Sequence, residues 1–219
     1  MDSLARELRA VLAVDPAALA LEYKRRWYSW GDISTGIERI DSLLSQAGIG
    51  PGGRVGILIR NRPGQLFAIL TVLATERCLV TLAPLLPDDK LANDLDAVRA
   101  PVMIGEADDL ARPAIAEAIR RTGAAVIEVG VDSAQIRLVP GQERPTGSDL
   151  LCEGPGVAIE MLTSGTTGSP KRVPTRQQPM VGGVGYPHTQ YRFEPKNERM
   201  LNDRESQADQ VHLACFLVP

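Results

Sequence analysis

Hydrophobic and polar positions along the chain fall into two alternating kinds of run. Residues 54–59, 78–82, 101–104 and 124–129 are short and almost wholly apolar, the length and composition of buried strands. Between them apolar residues recur at helical spacing. Leu66, Phe67, Leu70 and Leu73 follow Pro63, and similar patterns fill residues 88–99 and 109–121. Strands that alternate with helices in this way pair in parallel, and right-handed crossovers place the helices on both faces. The expected fold is α/β, a layered, mostly parallel sheet.

The flanking segments read less regularly. Leu4, Leu8, Val11 and Leu12 predict an N-terminal helix, and Asp15-Pro16 restarts a helical Ala/Leu segment. Trp27-Tyr28-Ser29-Trp30 is strand-like. Ser29 stands three residues before Asp32, a capping-box start to a helix with Ile33, Ile37, Ile40, Leu43, Leu44 and Ala47 on one face, and Gly48 stops it. Residues 139–155 form a Gly/Pro-rich connection, and residues 158–162 a strand. Beyond Val173 the character changes: residues 174–219 hold both histidines and five of the nine glutamines, with no apolar stripe of helix length before Gln210. The expected organisation is an N-terminal α/β portion, 1–173, followed by an irregular, poorly ordered tail, 174–219.

Composition narrows the function classes. Hydrophobic residues at 44% and charged residues at 23% are ordinary for a soluble globular protein. A formal charge of -3 gives no case for nucleic acid or an anionic membrane. No apolar run approaches the ~20 residues of a membrane helix, and residues 1–13 lack a signal-peptide core, so the cytosol is the expected setting. Cys78, Cys152 and Cys215 form no CxxC pair, and His188 and His212 are the only histidines. That argues against a disulfide framework, a zinc site or a multi-histidine centre, and no metal ligands are expected.

Chemistry concentrates in Thr163-Ser164-Gly165-Thr166-Thr167-Gly168-Ser169-Pro170-Lys171. Gly165 and Gly168 can adopt positive φ, so that successive amides point at one anion. The hydroxyls of Thr163, Ser164, Thr166 and Thr167 can donate to phosphate oxygens, and Lys171 adds a mobile positive charge. A flexible linker has a similar composition, but linkers seldom follow a buried strand directly. The spacing is not that of a Walker loop, because two residues separate the glycines and Arg172 follows the lysine. Gly48, Gly50 and Gly53 spell GxGxxG but follow a helix and precede a strand, the reverse of a dinucleotide site.

Residues 161–171 resemble the phosphate loop of the AMP-forming, adenylate-forming ligases: acyl- and aryl-CoA synthetases, firefly luciferase and the adenylation domains of peptide synthetases. Weaker matches support the resemblance in the same order: Tyr28 to Ile33, Gly50 to Val55 with Asn61-Arg62-Pro63, and Leu73-Ala74 through Cys78 to Pro84. It covers about residues 20–173. Arg172 stands where the family usually has glycine, a departure expected to weaken the loop's closing turn slightly. The family's acidic-aromatic nucleotide motif, ribose aspartate and lysine-bearing C-terminal domain have no counterpart in residues 174–219.

The resemblance implies an acyl-CoA synthetase type of ligase. A small-molecule carboxylic acid attacks the α-phosphate of ATP, pyrophosphate leaves, and coenzyme A or a carrier thiol takes the acyl group. It implies ATP and Mg²⁺, with Thr163, Ser164, Gly165, Thr166, Thr167, Gly168 and Lys171 at the β- and γ-phosphates. The alternative is a catalytically inactive nucleotide-binding remnant or interaction module. Trp27 and Trp30 read as packing anchors. Asp88-Asp89 and Asp108-Asp109 read as acidic helix starts favoured by the helix dipole.

Overall fold

The computed structural model describes residues 4–151, 154, 156–163 and 171–176. Helix α1 (Leu4–Val14) leads into a two-stranded hairpin, β1 (Leu19–Tyr23) and β2 (Arg26–Ser29), and then α2 (Trp30–Gln46). A run of strands and helices follows: β3 (Arg54–Leu58), α3 (Pro63–Ala74), β4 (Cys78–Leu82), α4 (Asp88–Val98), β5 (Val102–Gly105), α5 (Ala107–Leu110), α6 (Pro113–Thr122) and β6 (Ala125–Glu128). Short β7 (Arg137–Leu138), then β8 (Val157–Thr163) and β9 (Lys171–Arg176) complete the described chain.

The main sheet has seven strands in the order β7-β6-β5-β3-β4-β8-β9. β6, β5, β3, β4 and β8 are mutually parallel, and only the edge strands β7 and β9 run antiparallel. The expected layered α/β fold is therefore present, with helices on both faces. Alternation along the strands divides the core. Val55, Ile57, Leu79, Val102, Ile104, Ala125 and Ile127 meet the helices α1, α2 and α3 on one face. Cys78, Val80, Leu82, Met103 and Val126 meet α4 and α6 on the other.

Local signals explain most element boundaries. Ser29 caps α2 by accepting from the Asp32 amide, and the Asp32 carboxylate accepts from the Ser29 amide at 2.8 Å, closing the capping box. Pro63 and Pro113 open α3 and α6, where a missing N–H costs nothing. All twelve residues of α3 are buried, which only a helix sandwiched between sheet and helices can be. At Gly36 of α2 an added Cβ would lie 2.5 Å from the Phe67 ring, so glycine sets the close approach of α2 and α3.

Two segments differ from the sequence-based expectation. The Ala/Leu stretch after Asp15-Pro16 is strand β1, not helix. It pairs with β2 through a two-residue turn in which Lys24 and Arg25 both have positive φ (50° and 64°), the backbone of a tight hairpin. The helix expected over 109–121 is broken into α5 and α6, because Pro113 cannot donate to the preceding turn and starts a new helix. β9 also continues to Arg176, past the point where the composition changes. The tail from 177 onward lies outside the described residues.

Candidate functional site

β8 and β9 form the hairpin from which the Thr/Ser/Gly run is suspended. Thr163 closes β8 opposite Lys171, which opens β9, and the pairing continues through Leu162 with Arg172 and Met161 with Val173. β8 lies parallel to β4, so Thr163 stands at the end where the parallel strands finish. That is the end at which open α/β sheets bind their ligands. Both termini of the run are thus neighbours at the carboxyl end of the parallel strands. Ser164, Gly165, Thr166, Thr167 and Gly168, together with the Thr163 side chain, lie outside the described residues. Lys171 is exposed on the edge strand.

Beneath this hairpin runs a chain of paired charges that the sequence reading missed. The Arg54 guanidinium donates to the Glu160 carboxylate of β8 through Nε at 3.0 Å and Nη2 at 2.7 Å. Its Nη1 donates to the carbonyls of Val98 at 2.8 Å and Leu151 at 3.0 Å. Both side chains are largely buried, 6% exposed for Arg54 and 16% for Glu160. One pair further along, Nη2 of Arg172 in β9 donates to both Asp94 oxygens of α4, at 2.8 and 2.7 Å, and its Nη1 to the Thr81 carbonyl at 3.0 Å. Burial by itself would raise the Glu160 carboxyl. The hydrogen bonds and charge of Arg54, with the charge of Arg172 behind them, outweigh it and hold Glu160 below its ordinary value.

Arg172 therefore has a role of its own beyond the departure noted for it. The residue lies in a paired strand and has no positive φ, so nothing at this position requires glycine. Its side chain binds the outgoing strand to α4, while the loop's closing turn itself lies outside the described residues. A signal that the Arg54–Glu160 pair needed a partner was present in the sequence, though not which partner: Arg54 heads one apolar strand and Glu160 interrupts another. A charge inside a buried run must find a partner.

Cys78 sits against the same network, its Sγ 3.7 Å from a Glu160 oxygen. Burial first, then the Glu160 charge, push the thiol up to about 12. It is a core residue, as its place in the apolar run 78–82 suggested; Cys152 and Cys215 lie outside the described residues. A second pair of buried carboxylates lies where the crossovers from β3 and β5 diverge. Asp109 accepts from Arg60 at 2.6 and 2.7 Å, and Glu106 pairs with Arg62. Asp109 is thus more than an acidic helix start: it neutralises an arginine from the loop after β3. Asp88 and Asp89 do stand in the first turn of α4, as expected. Among the described residues no group of His, Cys, Asp and Glu side chains could hold a metal ion. No helix there is long and apolar enough to cross a membrane. The surface recess lined by Leu110, Ile119, Val126 and Val139 belongs to the β6–β7 end of the sheet, away from the hairpin.

Against this geometry, comparison with known proteins is decisive. The sequence model of the family described as AMP-binding enzyme matches residues 8–205. The chain belongs to that family. It is the adenylate-forming group that the loop motif resembles. The chain is 30% identical over 158 residues to the AMB antimetabolite synthetase AmbB of Pseudomonas aeruginosa, covering 72% of this chain and 12% of that protein. It is 28% identical over 154 residues to the medium/long-chain-fatty-acid–CoA ligase FadD6 of Mycobacterium tuberculosis, covering 69% of this chain and 25% of the ligase. In fold it is similar to ATP-bound MatB from Rhodopseudomonas palustris, with a TM-score of 0.67 at 20% identity, over 89% of this chain and 39% of that one. The chain spans well under half the length of each of these proteins.

Proposed function

We propose that the chain is the N-terminal, phosphate-gripping part of an ATP-dependent, AMP-forming ligase of the acyl-CoA synthetase type. The observation that carries this reading is the hairpin: Thr163 and Lys171 face each other at the carboxyl end of the parallel strands, and the hydroxyl- and glycine-rich run joins them in sequence. Thr163, Ser164, Gly165, Thr166, Thr167, Gly168 and Lys171 hold the β- and γ-phosphates of ATP in this reading. Mg²⁺ shares the phosphate charge, and positioning with charge stabilisation is the protein's main contribution to such a transfer. The ATP bound to MatB supports the choice of nucleotide.

In the reaction a carboxylate oxygen bonds to the α-phosphorus, the bond to the β,γ-pyrophosphate breaks, and an acyl-adenylate forms. Coenzyme A or a carrier thiol then displaces AMP. FadD6 supports coenzyme A, and AmbB, an antimetabolite synthetase, keeps other acceptors open. The portion 1–173, which β9 carries on to Arg176, is assigned to the nucleotide-binding fold and the remainder of 174–219 to a separate tail, in a cytosolic setting. A second reading is nucleotide binding without turnover by these 219 residues, favoured by the share of its relatives that the chain spans.

Two measurements on the purified chain test these readings together. Equilibrium dialysis with Mg-ATP reports binding, and carboxylate-dependent exchange of labelled pyrophosphate into ATP reports adenylate formation. Binding with exchange upholds the ligase for the chain alone, and binding without exchange upholds the second reading. Absence of both overturns the phosphate-gripping assignment.

A further inference from the structure

We propose that Arg172 is a positioning residue for the phosphate loop, acting through its clamp on Asp94 and the Thr81 carbonyl; this rests on the functional reading above. β9 is the last strand of the sheet and pairs only with β8 among the described strands. An edge strand of Lys-Arg-Val-Pro-Thr-Arg has little apolar side chain to hold it, and its Val173 and Pro174 are exposed. Arg172 supplies what the strand otherwise lacks. Three hydrogen bonds cross from it to β4 and α4, elements that belong to the rigid body of the sheet.

The geometry gives the clamp its specificity. The pair with Asp94 uses both carboxylate oxygens, and the third bond, to a backbone carbonyl, leaves the guanidinium little freedom to turn. Both side chains are mostly buried, 17% exposed for Arg172 and 12% for Asp94, so solvent screens the pair weakly. Both Nη groups are occupied, and Nε is buried with no partner among the described residues. Arg172 is therefore committed to α4 and β4 and is not a phosphate ligand. Its effect passes through the backbone to Lys171, the adjacent residue, whose pairing with Thr163 fixes the separation of the two loop ends. A lysine at 172 would keep the charge but lose the fork and the third bond.

The test compares the 219-residue chain with Arg172→Lys, Asp94→Asn and the charge-exchanged pair Arg172→Asp with Asp94→Arg. Mg-ATP and inorganic pyrophosphate are the binding probes. Amide hydrogen exchange is followed by mass spectrometry in peptides covering 157–176 and, as reference, 102–128, which hold no partner of Arg172. Each single variant is expected to speed exchange in 157–176 while leaving the reference unchanged. Each should also weaken Mg-ATP binding about tenfold, the loss usual for a charge-assisted contact, with part of it restored in the exchanged pair. Unaltered exchange in both single variants overturns the clamp, and altered exchange with unaltered affinity overturns the positioning role. If the unsubstituted chain binds neither probe, the functional reading falls. In that case accelerated exchange confined to 157–176 still upholds the clamp, and unchanged exchange removes it.

Discussion

Replacing Glu160 by alanine is expected to cost far more than its position near a surface hairpin suggests. The substitution removes two of the four hydrogen bonds made by the Arg54 guanidinium and leaves a cation whose side chain is 6% exposed without its counter-charge. Breaking a buried pair from one side usually costs about 3–5 kcal/mol. Glu160 retains some solvent contact, and the Val98 and Leu151 carbonyls still accept from Arg54, so about 2–4 kcal/mol is expected here. With a urea dependence of about 1–3 kcal/mol per molar, the midpoint should fall by roughly 1–2 M. Far-UV circular dichroism in urea measures this directly. The exposed pair Arg99–Asp149, with side chains 39% and 66% exposed, is the internal control, and Asp149→Ala should cost no more than about 1 kcal/mol. Replacing both Arg54 and Glu160 by methionine should restore part of the loss, because no orphaned charge remains although the Val98 and Leu151 carbonyls lose a donor. A Glu160→Ala cost no greater than that of Asp149→Ala, or a double variant less stable than the single one, would refute the reasoning.

Other consequences can be measured in the same chain. Glu160 is held below its ordinary value of 4.5, so its contribution is complete above that pH and is lost as pH falls through the lowered value. The stability difference from Glu160→Gln should therefore be constant near neutrality and shrink in urea titrations run below about pH 4. Cys78, with its thiol pushed up to about 12 and the residue buried, should resist alkylation by iodoacetamide at pH 8 until the chain unfolds, as peptide mapping would show. Gln65 is fully buried, and both side-chain polar atoms lack a partner among the described residues. Gln65→Met should raise stability by about 1–2 kcal/mol in urea unfolding, and a loss would point to a partner outside those residues.

The parallel strands were legible because each is buried on both faces, so Val55, Ile57 and Leu58 or Leu79, Val80 and Leu82 leave unbroken apolar runs. The capping box at Ser29 and the stop at Gly48 were legible because those signals are local. β9 was not, since Lys171–Arg176 is polar and carries Pro174. An edge strand tolerates proline, whose missing N–H can face away from the ladder. β1 was misread because a short Ala/Leu run fits either period, and only the turn at Lys24-Arg25 decides between them. The loop's chemistry was visible as a motif, but its supports were not. Arg172 meets Asp94 across 78 positions, and Arg54 meets Glu160 across 106. No local pattern encodes such distances.

The place of β8 in the sheet also has a kinetic meaning. β4 ends at Leu82, yet the strand that covers its free side is not begun until Val157. β5 and β6 are made in the interval and assemble on the opposite side of β3. At ribosomal speeds of about 5–20 residues per second, the apolar edge of β4 stays unpaired for roughly 4–15 s of synthesis. Through that interval Cys78, Leu79 and Val80 offer an open template to any extended chain nearby. The nascent protein is thus most vulnerable to misassembly just before the strand bearing Glu160 emerges, and a holdase that shields strand edges would act in that window.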